Sequence, residues 1–306
     1  MTQQGNILQQ LPTYAETLVM NRQSSFVFLV LLLLAQQSVA QTPGSSLLWE
    51  ISGNGLKQPS YLFGTFHLMC KSDFSVSPML ESKLKASSQF YGELKMDDPQ
   101  LQTKLMGRMM LSGQTLQTLL PQSDYTAVST QFQSITGYPL LAFNNFKPFL
   151  CLSILAQKSI ACTDAVQPET EFVSLAKQLS LPILGLETVD DQMDAIDKEP
   201  IDSQISSLKK TVLNFDSVKT MMVEMSDVYK LRDIDSLYRY MKTNGVDGAF
   251  ETELLNNRNK KWVPMISEII AEKPSFFAVG AGHLGGPDGV ISLLRKKGYR
   301  LTPVKF

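Results

Sequence analysis

The chain has only two histidines among 306 residues, and both occur in the same local pattern. Each stands three positions after a glycine at the end of an apolar run, as GTFH (64–67) and GAGH (280–283). At ordinary glycine usage, this offset arises by chance for both histidines roughly 0.3% of the time. Imidazoles at strand ends can bind a divalent metal or transfer protons. The pattern therefore predicts that His67 and His283 share a metal or acid–base site.

Two glutamates follow apolar runs of the same kind. Glu93 follows FYG (90–92), and Glu187 follows ILGL (183–186). Short continuous apolar runs suit strands buried in a parallel sheet, whose carboxyl ends gather at one edge. We therefore expect Glu93, and next Glu187, to lie beside the two histidines. For each residue alone, a structural salt bridge, a cap or a packing role is the competing interpretation.

Arg258 lies on a mainly apolar stripe with four-residue spacing, formed by Phe250, Leu254, Arg258, Trp262 and Ile266. Its guanidinium group either extends to solvent or pairs with a carboxylate or a substrate anion. Pro264 is a potential helix breaker just after this stripe.

The last helix is predicted over Pro287–Lys297, and its N-terminus is a potential anion site. GAGHLG (280–285) before it fits the G-x-G-x-x-G pattern of dinucleotide-binding loops. The strand that follows, however, ends the chain without an Asp or Glu, which argues against dinucleotide binding. H-E-x-x-H, G-x-S-x-G and P-loop signatures are also missing.

The N-terminal region predicts export. A basic start at Met20, an apolar run at 26–35 and SVA (38–40) are typical of a signal peptide over residues 20–40 that is cleaved after Ala40, with 1–19 as an over-called extension. An uncleaved membrane anchor is the alternative. No later stretch of the sequence is long and apolar enough to span a membrane. Export to the periplasm or the outside of the cell permits disulfides, but the sequence does not choose a pair among three cysteines.

The composition argues against one class of protein, the nucleic-acid binders, and the order of segments indicates the fold class. The chain has 28 Lys and Arg against 29 Asp and Glu, a net charge of −1, so it lacks the basic excess of a nucleic-acid binder. Strand-like runs alternate with helical segments, which predicts an α/β fold. The helical segments form an insert over about 97–181 and 189–272.

Five sequence blocks, in this order and spacing, resemble the TraB/PrgY/GumN family, which is related to the Tiki metalloproteases. They are SYLFGTFHLMC (60–70), FYGEL (90–94), LPILGLETVDDQ (181–192), LLNNRNKKW (254–262) and FFAVGAGHLGGPDGVISLLRKKGY (276–299). The resemblance implies a Tiki/erythromycin-esterase-like α/β domain over 41–306, with a central, mostly parallel sheet built from two βα halves around the insert. QPE (167–169) departs from the Gly-x-Asp or Tyr-Glu that relatives often have there.

The resemblance also implies roles for residues. His67 and His283 would bind a divalent metal, with Glu93 as the third ligand or as a general base. Manganese or cobalt is favoured as the metal, and zinc is also compatible. Arg258 would join these residues in catalysis. A second set would orient the substrate or an oxyanion: Asn259, Gly64, Gly280, Gly282 and Glu187. A Cys70–Cys162 disulfide is expected on the same ground. The resulting hypothesis is an exported metal-dependent hydrolase of peptides or proteins. A metal-independent His/Glu hydrolase and a non-catalytic peptide- or haem-binding protein are the alternatives.

Overall fold

A computed structural model describes residues 44–245 and 248–306, apart from the side chains of Ala249 and Phe250. The predicted signal peptide, its cleavage point and the upstream extension lie outside the described residues. Within those residues, no helix combines the length and apolar character that crossing a membrane requires.

Over the described residues, eight strands form two sheets: β1 (Leu48–Ser52), β2 (Ser60–Thr65), β3 (Met69–Cys70), β4 (Gln89–Gly92), β5 (Ala165–Val166), β6 (Ile183–Gly185), β7 (Ser275–Gly280) and β8 (Arg300–Val304). The central sheet has the order β6-β4-β7-β2-β1-β8, and β3 pairs with β5 separately. The strands from β6 to β2 are parallel, while β1 is antiparallel to both of its neighbours. The four strands predicted from apolar runs, β2, β4, β6 and β7, and the mostly parallel central sheet are confirmed.

The parallel register brings four strand ends to one edge of the sheet. Thr65 of β2 pairs with Gly280 of β7, and Gly92 of β4 pairs with Gly185 of β6. Strand β7 lies between β2 and β4. The segments that follow these strands therefore meet at the carboxyl edge, where open α/β sheets place their ligands.

Helices connect and cover the strands: α1 (Pro78–Lys85), α2 (Leu101–Arg108), α3 (Leu116–Leu119), α4 (Gln122–Thr136), α5 (Pro148–Lys158), α6 (Pro168–Gln178), α7 (Val189–Ile196), α8 (Ile201–Leu213), α9 (Phe215–Lys230), α10 (Ile234–Thr243), α11 (Gly248–Glu251), α12 (Asn257–Glu272) and α13 (Val290–Lys296). A π-helical turn, Thr252–Asn256, joins α11 to α12, and 3₁₀ turns cover Leu140–Phe143 and Ala281–His283.

Two helix predictions are wrong in detail. Helix α12 continues through Pro264, which is exposed, so water can bond the carbonyl that the missing N–H leaves free. Helix α13 begins at Val290, three residues later than predicted. The preceding carbonyl of Asp288 accepts a hydrogen bond from Nδ2 of Asn259 at 2.9 Å instead of starting the helix.

The sheet has an apolar core to which α6 and α12 of the insert contribute, and other insert helices form a separate core. The sheet core is built around packed aromatic rings, including Phe63, Phe90, Phe172 and Phe276. The insert buries a second cluster between α4, α5 and α8, including Phe132, Leu155 and Leu208. The sheet edge with the candidate residues is therefore supported by an apolar core separate from the cluster between α4, α5 and α8.

A covalent link lies close to that edge. Cys70 of β3 and Cys162, just before β5, form a disulfide, and Cys151 is a buried free thiol. The bridge expected from the family resemblance is thus present in the structure. It ties the segment after β2 to the segment before α6.

Candidate functional site

Glu93 stands at the centre of the carboxyl edge, where β4 ends beside β7. Its Oε1 accepts the backbone N–H of Gly280 at 2.8 Å. A Cβ added to Gly280 would lie 3.2 Å from that oxygen and 3.1 Å from Nε2 of His67. Glycine at 280 therefore leaves a small space between the glutamate and the imidazole that a larger residue would fill.

A buried arginine links the two glutamates. Nη2 of Arg258 donates to Oε2 of Glu93 at 2.5 Å and to Oε1 of Glu187 at 2.7 Å, and Nε donates to Oε2 of Glu187 at 3.0 Å. The guanidinium lies 4.8 Å from the ring centroid of Trp262, whose Nε1 also donates to Glu187. Of the two interpretations of Arg258, pairing with carboxylates is confirmed and extension to solvent is wrong.

His283 is buried on the same network. Nδ2 of Asn259 donates to the carbonyls of His283 and Asp288, so its Oδ1 is the atom that faces Nδ1 of His283, at 2.7 Å. The imidazole therefore carries its proton on Nδ1 and presents a lone pair on Nε2. That nitrogen lies 3.1 Å from Nη1 of Arg258 and 3.7 Å from Oε1 of Glu93.

His67 is open to solvent, with 72% of its side chain exposed. Its Nδ1 lies 2.7 Å from Oε1 of Glu169, the same oxygen that accepts the hydroxyl of Thr65 at 2.6 Å. This contact turns the other nitrogen, Nε2, toward Gly280 and Glu93. Both histidines therefore hold Nδ1 against an oxygen and direct Nε2 to the space around Glu93.

The surroundings set different charges on the two rings. Desolvation lowers the pKa of His67, but the hydrogen bond and charge of Glu169 outweigh it and raise the pKa to about 9. Desolvation lowers the pKa of His283 to about 3, against the attraction of Glu93. At neutral pH the exposed ring is charged and the buried ring is neutral.

The carboxylates also differ. Burial opposes ionisation of Glu93, yet neighbouring His283, Arg258 and His67, together with the Gly280 N–H, lower its pKa to about 2. At neutral pH, Arg258 and His67 are the cations among these groups, since His283 is uncharged. The pKa of Glu187 is instead raised, chiefly by desolvation. Carboxylates with pKa values pushed apart are a frequent feature of active sites.

The structure brings some predicted residues together and places others elsewhere. His67, Glu93, Gly280, His283 and Arg258 are linked by close contacts at the sheet edge, and Glu187 joins them through Arg258. Gly64 instead packs against Ala281 and Leu284, and Gly282 faces Met241. Asn259 contacts His283 and two carbonyls. The helix N-terminus that was expected at Pro287 as an anion site lies at Val290 instead.

Sequence reasoning missed Glu169 as the partner of His67. The residue lies in the first turn of α6 after Pro168, more than a hundred positions from His67. It belongs to QPE (167–169), the segment that departs from the family pattern. The glutamate in this segment is the sequence feature that indicates Glu169 as a candidate partner.

A comparison with protein-family models matches residues 47–303 to the TraB/PrgY/gumN family. The chain belongs to this family. That match spans most of the described residues and includes every residue around Glu93.

Curated relatives of this TraB/PrgY/gumN protein are named metalloproteases. It is 23% identical to Metalloprotease TIKI1 of Danio rerio over 85% of the chain, and 23% identical to Metalloprotease TIKI1 of Homo sapiens over 85%. It is 22% identical to Metalloprotease TIKI2 of Danio rerio over 86%. The chain spans 63%, 62% and 62% of these relatives' lengths, respectively. No solved structure is significantly similar to it.

The donors around Glu93 have the chemistry that a divalent ion needs. They are two imidazoles and a carboxylate, and both rings have Nδ1 bonded to an oxygen, the outer-shell arrangement that orients metal-binding histidines. The Gly280 space lies between two of the donors. Over residues 44–245 and 248–306, however, no three His, Cys, Asp or Glu side chains are already close enough to hold an ion. The donor types fit a metal, but His67 would have to release its Nε2 proton to bind one, and the present contacts do not form a ready cage.

Proposed function

We propose that this protein is an exported, metal-dependent hydrolase of peptide bonds. His67, His283 and Glu93 would hold the ion, with manganese or cobalt favoured over zinc. The observation that carries the proposal is that the only two histidines direct Nε2 toward one buried, ionised glutamate. The metalloprotease names of the relatives support the reaction class.

A bound ion would supply a Lewis acid and an activated water. The protein's own residues prepare the site for it. Arg258 and the Gly280 N–H keep Glu93 ionised, although the carboxylate is almost buried. Asn259 holds His283 in the tautomer that leaves Nε2 without a proton.

His67 is suited to the solvent-facing side of the site. Glu169 and Thr65 fix the ring from the side opposite to Nε2. Without a bound ion, this exposed, oriented imidazole would be able to transfer a proton to or from a substrate group, as the alternative of a metal-independent His/Glu hydrolase requires. Arg258 lies next to Glu93 and would offer an N–H to a substrate oxygen once one of its present contacts is released.

Export is proposed from the N-terminal pattern and is supported by the disulfide. Disulfides persist mainly in oxidising compartments such as the periplasm and the extracellular space. A peptide or protein substrate would therefore be met outside the cytoplasm.

The test is hydrolysis of a peptide library by protein freed of metal with EDTA and then supplied with Mn²⁺, Co²⁺ or Zn²⁺, with products read by mass spectrometry. We expect cleavage that chelation abolishes and one ion restores, and its loss in His67→Ala and His283→Ala. Lys260→Gln, which removes an exposed charge from α12, serves as the control variant. Cleavage that survives chelation would leave a metal-independent hydrolase. Binding without product would indicate a peptide-binding protein.

A further inference from the structure

Arg258 already uses the one atom of His283 that a metal would need. Nη1 of Arg258 donates to the carbonyl of Leu254 at 2.9 Å and to Nε2 of His283 at 3.1 Å. The other nitrogen of the ring, Nδ1, carries its proton toward Asn259. A neutral imidazole has a single lone pair, so Nε2 accepts either the guanidinium N–H or a metal ion.

We propose that Arg258 competes with a divalent ion for Nε2 of His283 and thereby sets the metal affinity of the site. This inference rests on the proposed function, since it assumes that His283 is a ligand. It goes further by assigning two mutually exclusive states to the site. In one state the arginine is bonded to His283, and in the other the ion is.

The exchange does not require Arg258 to leave the site. Glu187 holds Nε at 3.0 Å and Nη2 at 2.7 Å, and Leu254 holds Nη1 through its carbonyl. Only the contact with His283 has to break. The released N–H of Nη1 is then available to a substrate oxygen, so arrival of the ion would prepare the arginine for substrate.

The charge of Arg258 adds to the competition. Arg258 is 8% exposed and its guanidinium bonds directly to Glu93, so its repulsion of a cation there is only weakly screened. Removing that charge leaves the carboxylates of Glu93 and Glu187 without their shared cation. Lys260 carries the same charge two residues later but is 55% exposed, so its removal should matter little.

The experiment is calorimetric titration of metal-freed mature protein with Mn²⁺ at pH 7.5. We expect a dissociation constant at least about tenfold lower for Arg258→Gln than for the wild type, and no change for Lys260→Gln. Equal or weaker binding by Arg258→Gln, with normal binding by the wild type, would overturn the competition and leave the proposed metal site intact. Absence of binding in every variant would overturn both.

Arg258→Gln also removes the partner of two buried carboxylates and can fail to fold. A wild-type measurement keeps the proposal testable. The side-chain nitrogens of the two histidines and of Arg258 are followed by ¹⁵N NMR while Zn²⁺ is added. We expect a change at Nε2 of His283 together with loss of the Arg258 hydrogen bond to it. Persistence of that hydrogen bond at metal saturation would contradict the competition.

Discussion

The two Gly-x-x-His segments have the same sequence pattern and opposite surroundings. His67 is 72% exposed, bonds to a carboxylate and has a pKa raised to about 9. His283 is 3% exposed, bonds to an amide and has a pKa lowered to about 3. The difference comes from the helix that supplies the partner: α6 offers Glu169, and α12 offers Asn259 with Arg258. The state of a histidine here is thus set by partners distant in sequence and not by its own motif.

The largest predicted effect comes from removing the disulfide, which joins Cys70, three residues after His67, to Cys162. Replacing both Cys70 and Cys162 by serine opens a cross-link with a sequence separation of 92. Chain-entropy estimates place the loss in free energy of unfolding at about 4.6 kcal/mol. Urea denaturation measures it. Cys151→Ala, which keeps the bridge, should cost about 1 kcal/mol, and an equal loss in both variants would show that the bridge adds nothing.

Replacing each histidine by alanine should lower the free energy of unfolding by different amounts, because the two rings have different surroundings. His283→Ala opens a buried cavity and leaves Oδ1 of Asn259 and Nη1 of Arg258 each without one partner, at a cost of about 3 kcal/mol. His67→Ala removes an exposed ring and should cost less than about 1 kcal/mol. Urea melts of both variants give the comparison. Equal losses in free energy of unfolding would mean that the difference in burial between the two rings does not affect stability.

Changing the side chain that contacts Nδ1 of a histidine tests what sets the pKa of that ring. Asn259→Asp gives His283 a carboxylate at Nδ1, as His67 has, so the pKa of His283 should rise well above about 3. Imidazole proton NMR against pH measures it, and only two rings need assignment. Asn256→Asp, which adds the same charge one turn earlier on the helix, is the control. An unchanged pKa of His283 would show that burial alone decides its state.

The smallest effect is expected when the carboxylate that contacts the exposed ring of His67 is replaced by an amide. Glu169→Gln should lower the pKa of His67 from about 9 toward its usual 6.5. Because the folded pKa is raised, the stabilisation from this pair is complete below pH 6.5 and is lost as the pH rises through about 9. Wild-type stability should therefore fall over that range more than that of the variant. Glu171→Gln, in the same turn of α6, should behave like the wild type.

The sequence was sufficient to predict which residues lie at the sheet edge. Continuous apolar runs ending in glycine identified β2, β4, β6 and β7, and the rule that parallel strands share a carboxyl edge brought His67, His283 and Glu93 together. These inferences depend on local pattern and on a general property of sheets.

The same reasoning could not assign the contacts made by helices from elsewhere in the chain. Glu169 reaches His67 across 102 positions, and Arg258 reaches Glu93 across 165. The direction of a buried side chain depends on how helices pack, which periodicity does not specify. Asn259 was therefore predicted to face substrate, whereas it holds His283. The start of α13 was placed too early because Pro287 looked like a first helical residue.

The central claim is that His67, His283 and Glu93 hold one ion. Calorimetric titration with Mn²⁺ of the wild type, His67→Ala and His283→Ala tests it most directly. We predict one ion bound per wild-type chain and binding weaker by at least about 100-fold in each variant. Wild-type affinity retained in either variant would contradict the claim, because the deleted ring could then not be a ligand.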